Sequence, residues 1–218
     1  MTPIAVIDFE TTGLSPTSGD RATEIAIVLL EGTKVVARFQ SLMNAGVRIP
    51  AFIESYTGIS NDMIRTAPPA AQVMGDAARF VRGARLVAHN ASFDRRFWSA
   101  ELSRLGDGHE DHPFACTMLL SRRLYPQAGS YRLGSLAAFH AIPSAGRAHR
   151  AMADAEVAAA LLSRIRGDIQ RDYEVPEVSH DLLVKVQRSP RKDVPKAIQG
   201  YFEELRKIEA STSNEPSR

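Results

Sequence analysis

Residues 3–10 read as an extended chain with two apolar faces: Ala5, Ile7 and Phe9 on one, Ile4 and Val6 on the other. The second face then continues into Asp8 and Glu10, because residues two apart in a strand share a side. Gly13 to Gly19, with Ser15-Pro16, is turn-rich. Two β-rich runs follow, 22–32 and 34–44, and Gly32-Thr33 between them predicts a hairpin. Residues 51–59 predict a short helix ending at Gly58. Residues 69–83 predict an amphipathic helix stopped by Gly83. A short buried strand is expected at 85–90, and a helix at 92–106 with Ser92 as N-cap. Residues 114–117 predict a strand running into a helix that lasts to Leu124. Further helices are expected at 132–140 and 150–169. Three leading strands, then alternating helices and strands, then helices, predict an α/β class with a mixed sheet of about five strands and helices on both faces.

The pattern breaks at Val175, after which Pro176, Pro190 and Pro195 interrupt it. The expected organisation is one domain over 1–172 and a partly helical extension over 173–218, with a helix at 195–210 and a frayed end. Lys185, Arg188, Arg191, Lys192 and Lys196 cluster in this extension. They read as a solvated linker, with contact to a nucleic-acid backbone as the alternative. His109, His112 and His180 read as surface histidines.

A length of 218 residues with 44% hydrophobic content allows one sizeable core. The single cysteine, Cys116, excludes an internal disulfide framework and suits a reducing compartment. No cationic leader precedes the first apolar run, and no stretch reaches the ~18 apolar residues of a membrane span. A cytoplasmic location is expected. The net charge of +2 does not itself announce a polyanion partner. Acids held around cations would leave the remaining surface more basic than that total.

Four acids lie on faces that are otherwise apolar. Asp8 and Glu10 extend the Ile4–Val6 face. Asp154 heads the helical stripe Val157, Ala158, Leu161, Ile165, and Asp94 heads Phe97, Trp98, Leu102, Leu105. Each has a plain structural alternative: a solvated strand end for the first two, and a first-turn acid complementing the helix dipole for the others. If they converge, like charges ~4 Å apart repel by about 4 kcal/mol at an effective dielectric of ~20. Bound cations remove that penalty, and an all-oxygen donor set selects hard ions, Mg²⁺ or Mn²⁺.

The segments DFETTG (8–13), HNASFD (89–94) and HRAMAD (149–154) resemble, in order, the three motifs of the DEDDh (DnaQ-like) 3′–5′ exonuclease superfamily. That group includes the epsilon proofreading subunit of bacterial DNA polymerase III. YTGIS (56–60) and YRLGSLAAFHAIP (131–143) resemble its linking segments, so the likeness spans roughly 3–166. It implies an RNase H-like fold and two divalent cations, Mg²⁺ or Mn²⁺, held by Asp8, Glu10, Asp94 and Asp154, with Asp8 bridging them. It implies His149 as general base; the PSAGRA stretch before it, with Gly146, reads as a mobile loop expected to close when substrate arrives. Two such ions stabilise the attacking and leaving oxygens of a phosphodiester, and a histidine takes the proton at neutral pH. It further implies substrate contacts at Thr11, Thr12, Gly13, Leu14, His89, Asn90 and Phe93, although Phe93 fits a core position equally well. The implied activity is release of nucleoside 5′-monophosphates from the 3′ end of single-stranded or frayed DNA, with a DNA polymerase subunit as possible partner. RNA trimming and a catalytically silent binding module on the same fold are the alternatives.

Overall fold

In the computed structural model, which describes residues 2–106, 113–143 and 149–212, five strands form one sheet in the order β3-β2-β1-β4-β5. These are β1 (Ile4–Thr11), β2 (Ala22–Glu31), β3 (Lys34–Leu42), β4 (Arg85–Ala88) and β5 (Ala115–Cys116). The first three pair antiparallel, and β1–β4 and β4–β5 pair parallel, as the expected mixed sheet requires. Gly32, at φ +61°, makes the tight β2–β3 turn. The β1–β2 register slips between Glu10 and Thr11, so a bulge follows directly on the two strand acids.

The helices are α1 (Ala51–Thr57), α2 (Asn61–Arg65), α3 (Ala70–Phe80), α4 (Ser92–Ser103), α5 (Thr117–Leu124), α6 (Leu133–Phe139), α7 (Ala151–Asp172), α8 (His180–Arg188) and α9 (Val194–Thr212). Helices α3 to α9 divide between the two faces as the strand alternation predicts, while α1 and α2 pack on a separate small cluster around Ile49, Ile59 and Ile64. Ile4, Val6, Val28 and Leu30 pack with α5, α7 and α8, while Ala5, Ile7, Phe9 and Ile27 pack with α3 and α4. Two sheet faces buried in two layers explain why β1 is apolar on both sides.

Three expectations change. The residue preceding α4 is Ala91, with helical dihedrals, and Ser92 is already the first helical residue without a capping bond. Asn90, at φ +63°, turns the chain into the helix, and its carbonyl accepts from Phe93 N–H at 2.9 Å, so a side-chain cap has no role. Much of the basic run read as a linker is helix α8 and the start of α9. Leu182, Leu183, Val186, Val194 and Ile198 are buried in the core, which leaves Lys185 and Arg188 on the outer side. His180 is buried at the start of α8, donating from Nε2 to the Leu86 carbonyl at 2.9 Å. The helix brings it against β4, a placement no local pattern announces. His109, His112 and residues 213–218 lie outside the described residues.

Candidate active site

The sheet delivers the first two acids. Asp8 and Glu10 stand on the α7 side of β1, at the end where β1 leaves the core; Asp8 is half-buried and Glu10 is 9% exposed. Helix α7 supplies Asp154 from its first turn, on the stripe that carries Ala158, Leu161 and Ile165 into the core. One carboxylate oxygen from each of Asp8, Glu10 and Asp154 lies within 4.8 Å of the others. Asp94 lies outside that triplet but beside it. It is 2% exposed, and its Oδ1 accepts from Phe9 N–H, between the two strand acids, at 3.2 Å. Neither Asp8 nor Glu10 accepts a side-chain hydrogen bond from the described residues.

The electrostatics follow from this crowding. Burial pushes Glu10 up to about 8, helped by Asp154 and Glu24 and opposed by Arg150. Asp94 is likewise pushed up to about 8 by burial, against the pull of its own and Phe9's backbone N–H groups. Asp8 is raised well above the carboxylate range by burial and then by Asp94, Glu10 and Asp154. Asp154 is raised by burial and held back by the His149 N–H and imidazole. Such a group binds protons where a small hard cation would serve better. The donor chemistry fits a divalent ion: three crowded carboxylate oxygens, with no hydrogen-bond donor supplied to the strand acid side chains among the described residues.

Two buried ion pairs fix the helices that bring the distal acids. On one face, Arg21 donates Nε and Nη2 to the two oxygens of Glu101 on α4, both at 2.8 Å, and Ala22 N–H adds a third bond at 3.2 Å. On the other face, Arg150 donates Nε and Nη2 to Glu24 at 3.1 and 2.9 Å, joined by Ala151 N–H at 3.2 Å and the Gln40 amide at 2.8 Å. Glu24 pairs with Glu10 across β1–β2. Sequence spacing alone misses both pairs. Glu24 is visible as an acid on the apolar face of Ala26, Val28 and Leu30, but its partner lies 126 residues away.

His149 adopts φ +63° and donates its backbone N–H to Asp154 Oδ2 at 3.1 Å. Its imidazole stacks on Tyr56 of α1, with centroids 3.9 Å apart at 28°. Neither ring nitrogen has a hydrogen-bond partner among the described residues. The preceding loop residues 144–148 lie outside the described residues.

The other expected contacts separate. His149, Asp154, His89 and Asn90 line one cleft of about 1380 Å³, together with Tyr131 and Arg122. His89 serves the scaffold as well: Nε2 donates to the Tyr131 carbonyl at 3.0 Å, and Nδ1 pairs with the Thr117 hydroxyl at 2.8 Å. Burial holds it neutral, with its pKa lowered to about 4. Phe93 is half-buried and packs against the core, its ring 5.0 Å from that of Phe97, and it does not line the cleft. Thr11, the last residue of β1, and Thr12 just after it are buried. The Thr11 hydroxyl donates to Gly13 O at 2.6 Å, and the Thr12 hydroxyl accepts from Arg21 N–H at 3.0 Å. At Gly13 a Cβ would run into the Asp20 carboxylate, which would have to shift from the place where it accepts from Ser15 N–H at 2.9 Å. Leu14 is 78% exposed beside these residues.

Residues 5–162 match the model of the Exonuclease (RNase_T) family. The chain belongs to this family. Within it, the chain is 40% identical over 152 residues to "3'-5' exonuclease DinG" of Bacillus subtilis, covering 70% of this chain and 16% of that protein. It is 36% identical over 165 residues to a "DNA polymerase III PolC-type" of Caldanaerobacter subterraneus, covering 76% of this chain and 12% of that protein. The chain thus spans a sixth or less of these two relatives. It covers 70% of the "DNA polymerase III subunit epsilon" of Treponema pallidum, with 36% identity over 69% of this chain. Among solved structures, Exonuclease X in complex with 5′ overhanging duplex DNA superposes with TM-score 0.63 at 26% identity, over 83% of this chain and 98% of that one. The nuclease domain of 3′hExo, a DEDDh family member bound to rAMP, superposes with TM-score 0.64 at 21% identity, over 82% and 97% of the two chains, which shows the shared fold. The five-stranded mixed sheet is therefore the RNase H-like fold of the exonucleases.

Proposed function

We propose that the chain is a divalent-cation-dependent 3′–5′ exonuclease that hydrolyses the terminal phosphodiester of DNA and releases nucleoside 5′-monophosphates. The observation that carries this reading is the crowding of Asp8, Glu10 and Asp154 oxygens within 4.8 Å, with Asp94 against the same strand. In this reading the four carboxylates hold Mg²⁺ or Mn²⁺, which supply positive charge to the phosphate oxygens during attack and departure. His149 receives the proton of the attacking water on a ring nitrogen that has no partner among the described residues, while its backbone bond to Asp154 keeps it at the cluster. His89 and Asn90 line the cleft that admits the terminal nucleotide, and in this reading Thr11–Gly13 and the exposed Leu14 approach the same nucleotide from the end of β1 that carries Asp8 and Glu10. DNA is favoured over RNA by the DNA polymerase III relatives, which also support a DNA polymerase as partner. Residues 1–172 carry the nuclease site and 173–218 extend it, a division supported by a family match that ends at residue 162, although α8 and the start of α9 pack into the same core.

The test offers 5′-labelled single-stranded DNA, mismatched duplex and RNA side by side, with Mg²⁺ and with EDTA. The expected result is a ladder receding from the 3′ end with mononucleotide release, absent in EDTA and in Asp8→Ala, and faster on DNA. No mononucleotide release from any substrate in Mg²⁺ or Mn²⁺ overturns the reading.

A further inference from the structure

We infer that a basic ridge running from the cleft onto α8 and the segment after it binds the phosphates of the polynucleotide strand that leads up to the terminal nucleotide. This rests on the nuclease reading above and names its substrate class more closely: a strand several nucleotides long, rather than a dinucleotide.

The ridge starts in the cleft. Arg122 and Arg132 line it together with His149 and Asp154. The Arg122 guanidinium lies 5.8 Å from the centre of the Tyr131 ring, and the Tyr131 carbonyl holds His89. The next residue, Arg123, donates Nε to the Ser189 carbonyl at 2.7 Å. That bond fixes the end of α5 to the turn between α8 and the 3-10 segment Arg191–Asp193. Ser189 is flanked by Arg188 on one side and by Arg191 and Lys192 on the other, and all three are exposed. Gln187 secures the same turn to β5: its Oε1 accepts from Cys116 N–H at 2.6 Å and its Nε2 donates to the Phe114 carbonyl at 2.9 Å. The ridge is therefore built on rigid elements.

Its charge is uncompensated. Among the described residues, Arg122, Arg132, Arg188, Arg191 and Lys192 take part in no ion pair, whereas Lys185 on the same helix is paired with Glu204 at 2.8 Å. The sequence keeps acids away as well. No Asp or Glu occurs between Asp111 and Asp154, and residues 185–196 contain one, Asp193. These two stretches hold ten Lys and Arg residues against that single acid, in a chain whose net charge is +2. A positive surface that leaves a cleft lined by Asp154, with the Asp8 and Glu10 oxygens beside it, suits one ligand chemistry, a chain of phosphodiesters whose end enters the cleft. Arginine predominates on it, as phosphate contacts favour.

The test compares kcat/KM for a 20-nucleotide oligothymidylate with that for a thymidine dinucleotide, with a 20-nucleotide oligouridylate as a parallel arm. Wild type is expected to favour the 20-mer at low salt by at least about tenfold. In Arg188→Gln/Arg191→Gln/Lys192→Gln the 20-mer-to-dinucleotide ratio is expected to fall at least about fivefold. The log–log salt dependence for the 20-mer should become shallower by about 2, at ~0.7 for each single-strand phosphate that is no longer neutralised. Arg188→Lys/Arg191→Lys should keep the wild-type ratio, because it keeps the charge. A triple variant with the wild-type ratio and salt slope overturns the ridge while leaving the nuclease reading intact, and so does a Lys variant that loses the ratio. A wild type that hydrolyses neither length overturns both. If the fall appears with oligothymidylate the strand is DNA; if it appears only with oligouridylate it is RNA, and either supports the ridge.

Discussion

Glu24 occupies a position where a lost charge has nowhere to go. It is 1% exposed, it faces Glu10 across the strand pair, and it accepts from Arg150 and from the Ala151 amide. Glu24→Ala leaves that amide and guanidinium without their acceptor at the point where the chain passes from His149 into α7. Breaking a buried pair costs about 3–5 kcal/mol, and the one-third exposure of Arg150 puts this case near the lower figure. A denaturant melt should show a loss of about 3 kcal/mol, and Glu24→Gln, which retains an acceptor, should lose less. Activity should fall with it, since Asp154 depends on the same helix start. Asp8 and Glu10 were legible in the sequence because two acids continuing an apolar strand face is a local pattern. Glu24 shows the same local pattern, yet its meaning depends on an arginine in a distant segment, and local spacing carries no information about that.

At the scale of elements, the β2–β3 hairpin, β1 and α7 were legible, because period-two and helical apolar spacing is strong in each of them. Helix α2 escaped because five residues give too short a pattern, although Ser60 caps it by accepting from Met63 N–H at 3.1 Å. Helix α8 escaped because prolines flank it and its charges stand out more than its buried Leu182, Leu183 and Val186. Its contribution to the fold can be measured through Gln187. Strand β5 has only two residues, and this side chain satisfies the Cys116 N–H and the Phe114 carbonyl beside it. Gln187→Leu buries both backbone groups unpaired, each costing about 1–3 kcal/mol. The expected loss is roughly 2–6 kcal/mol by thermal or urea melting. A variant as stable as wild type would mean that α8 is not needed to complete the sheet edge.

Over the whole molecule, the cluster makes stability depend on pH and cations together. Glu10 and Asp94 sit at about 8, against ordinary values of 4.5 and 3.8. The metal-free folded chain therefore binds more protons than the unfolded chain from the ordinary carboxylate range up to about 8. Its stabilisation is complete below that range and is lost as pH rises through 8. His89, His140 and His180 act in the opposite sense. Burial lowers the pKa of each from 6.5, so their contribution is lost as pH falls below that value and levels off above it. Between pH 6.5 and 9 the acids alone set the slope. In EDTA the melting temperature should fall across that window. With Mg²⁺ or Mn²⁺ it should be higher throughout, with a gain that grows with pH as the cation displaces protons. An Asp8→Ala/Asp154→Ala variant should lose most of the gain. A melting temperature in EDTA that is flat from 6.5 to 9 would contradict the crowded site. What no local pattern supplied was convergence itself, the meeting of β1, α4 and α7 at one sheet end; the motif likeness supplied that expectation.

Arg21 and Glu24 stand three positions apart and project to opposite sides of the sheet, so one short stretch tethers α4 from one side and α7 from the other. Inserting a single residue between them would invert one side chain relative to the other and unfasten a helix, whereas the same insertion at Thr17–Ser18, in the exposed turn just upstream, would pass through harmlessly. Evolution of this chain can therefore lengthen the loop ahead of β2 freely, but must keep the spacing within those four residues intact.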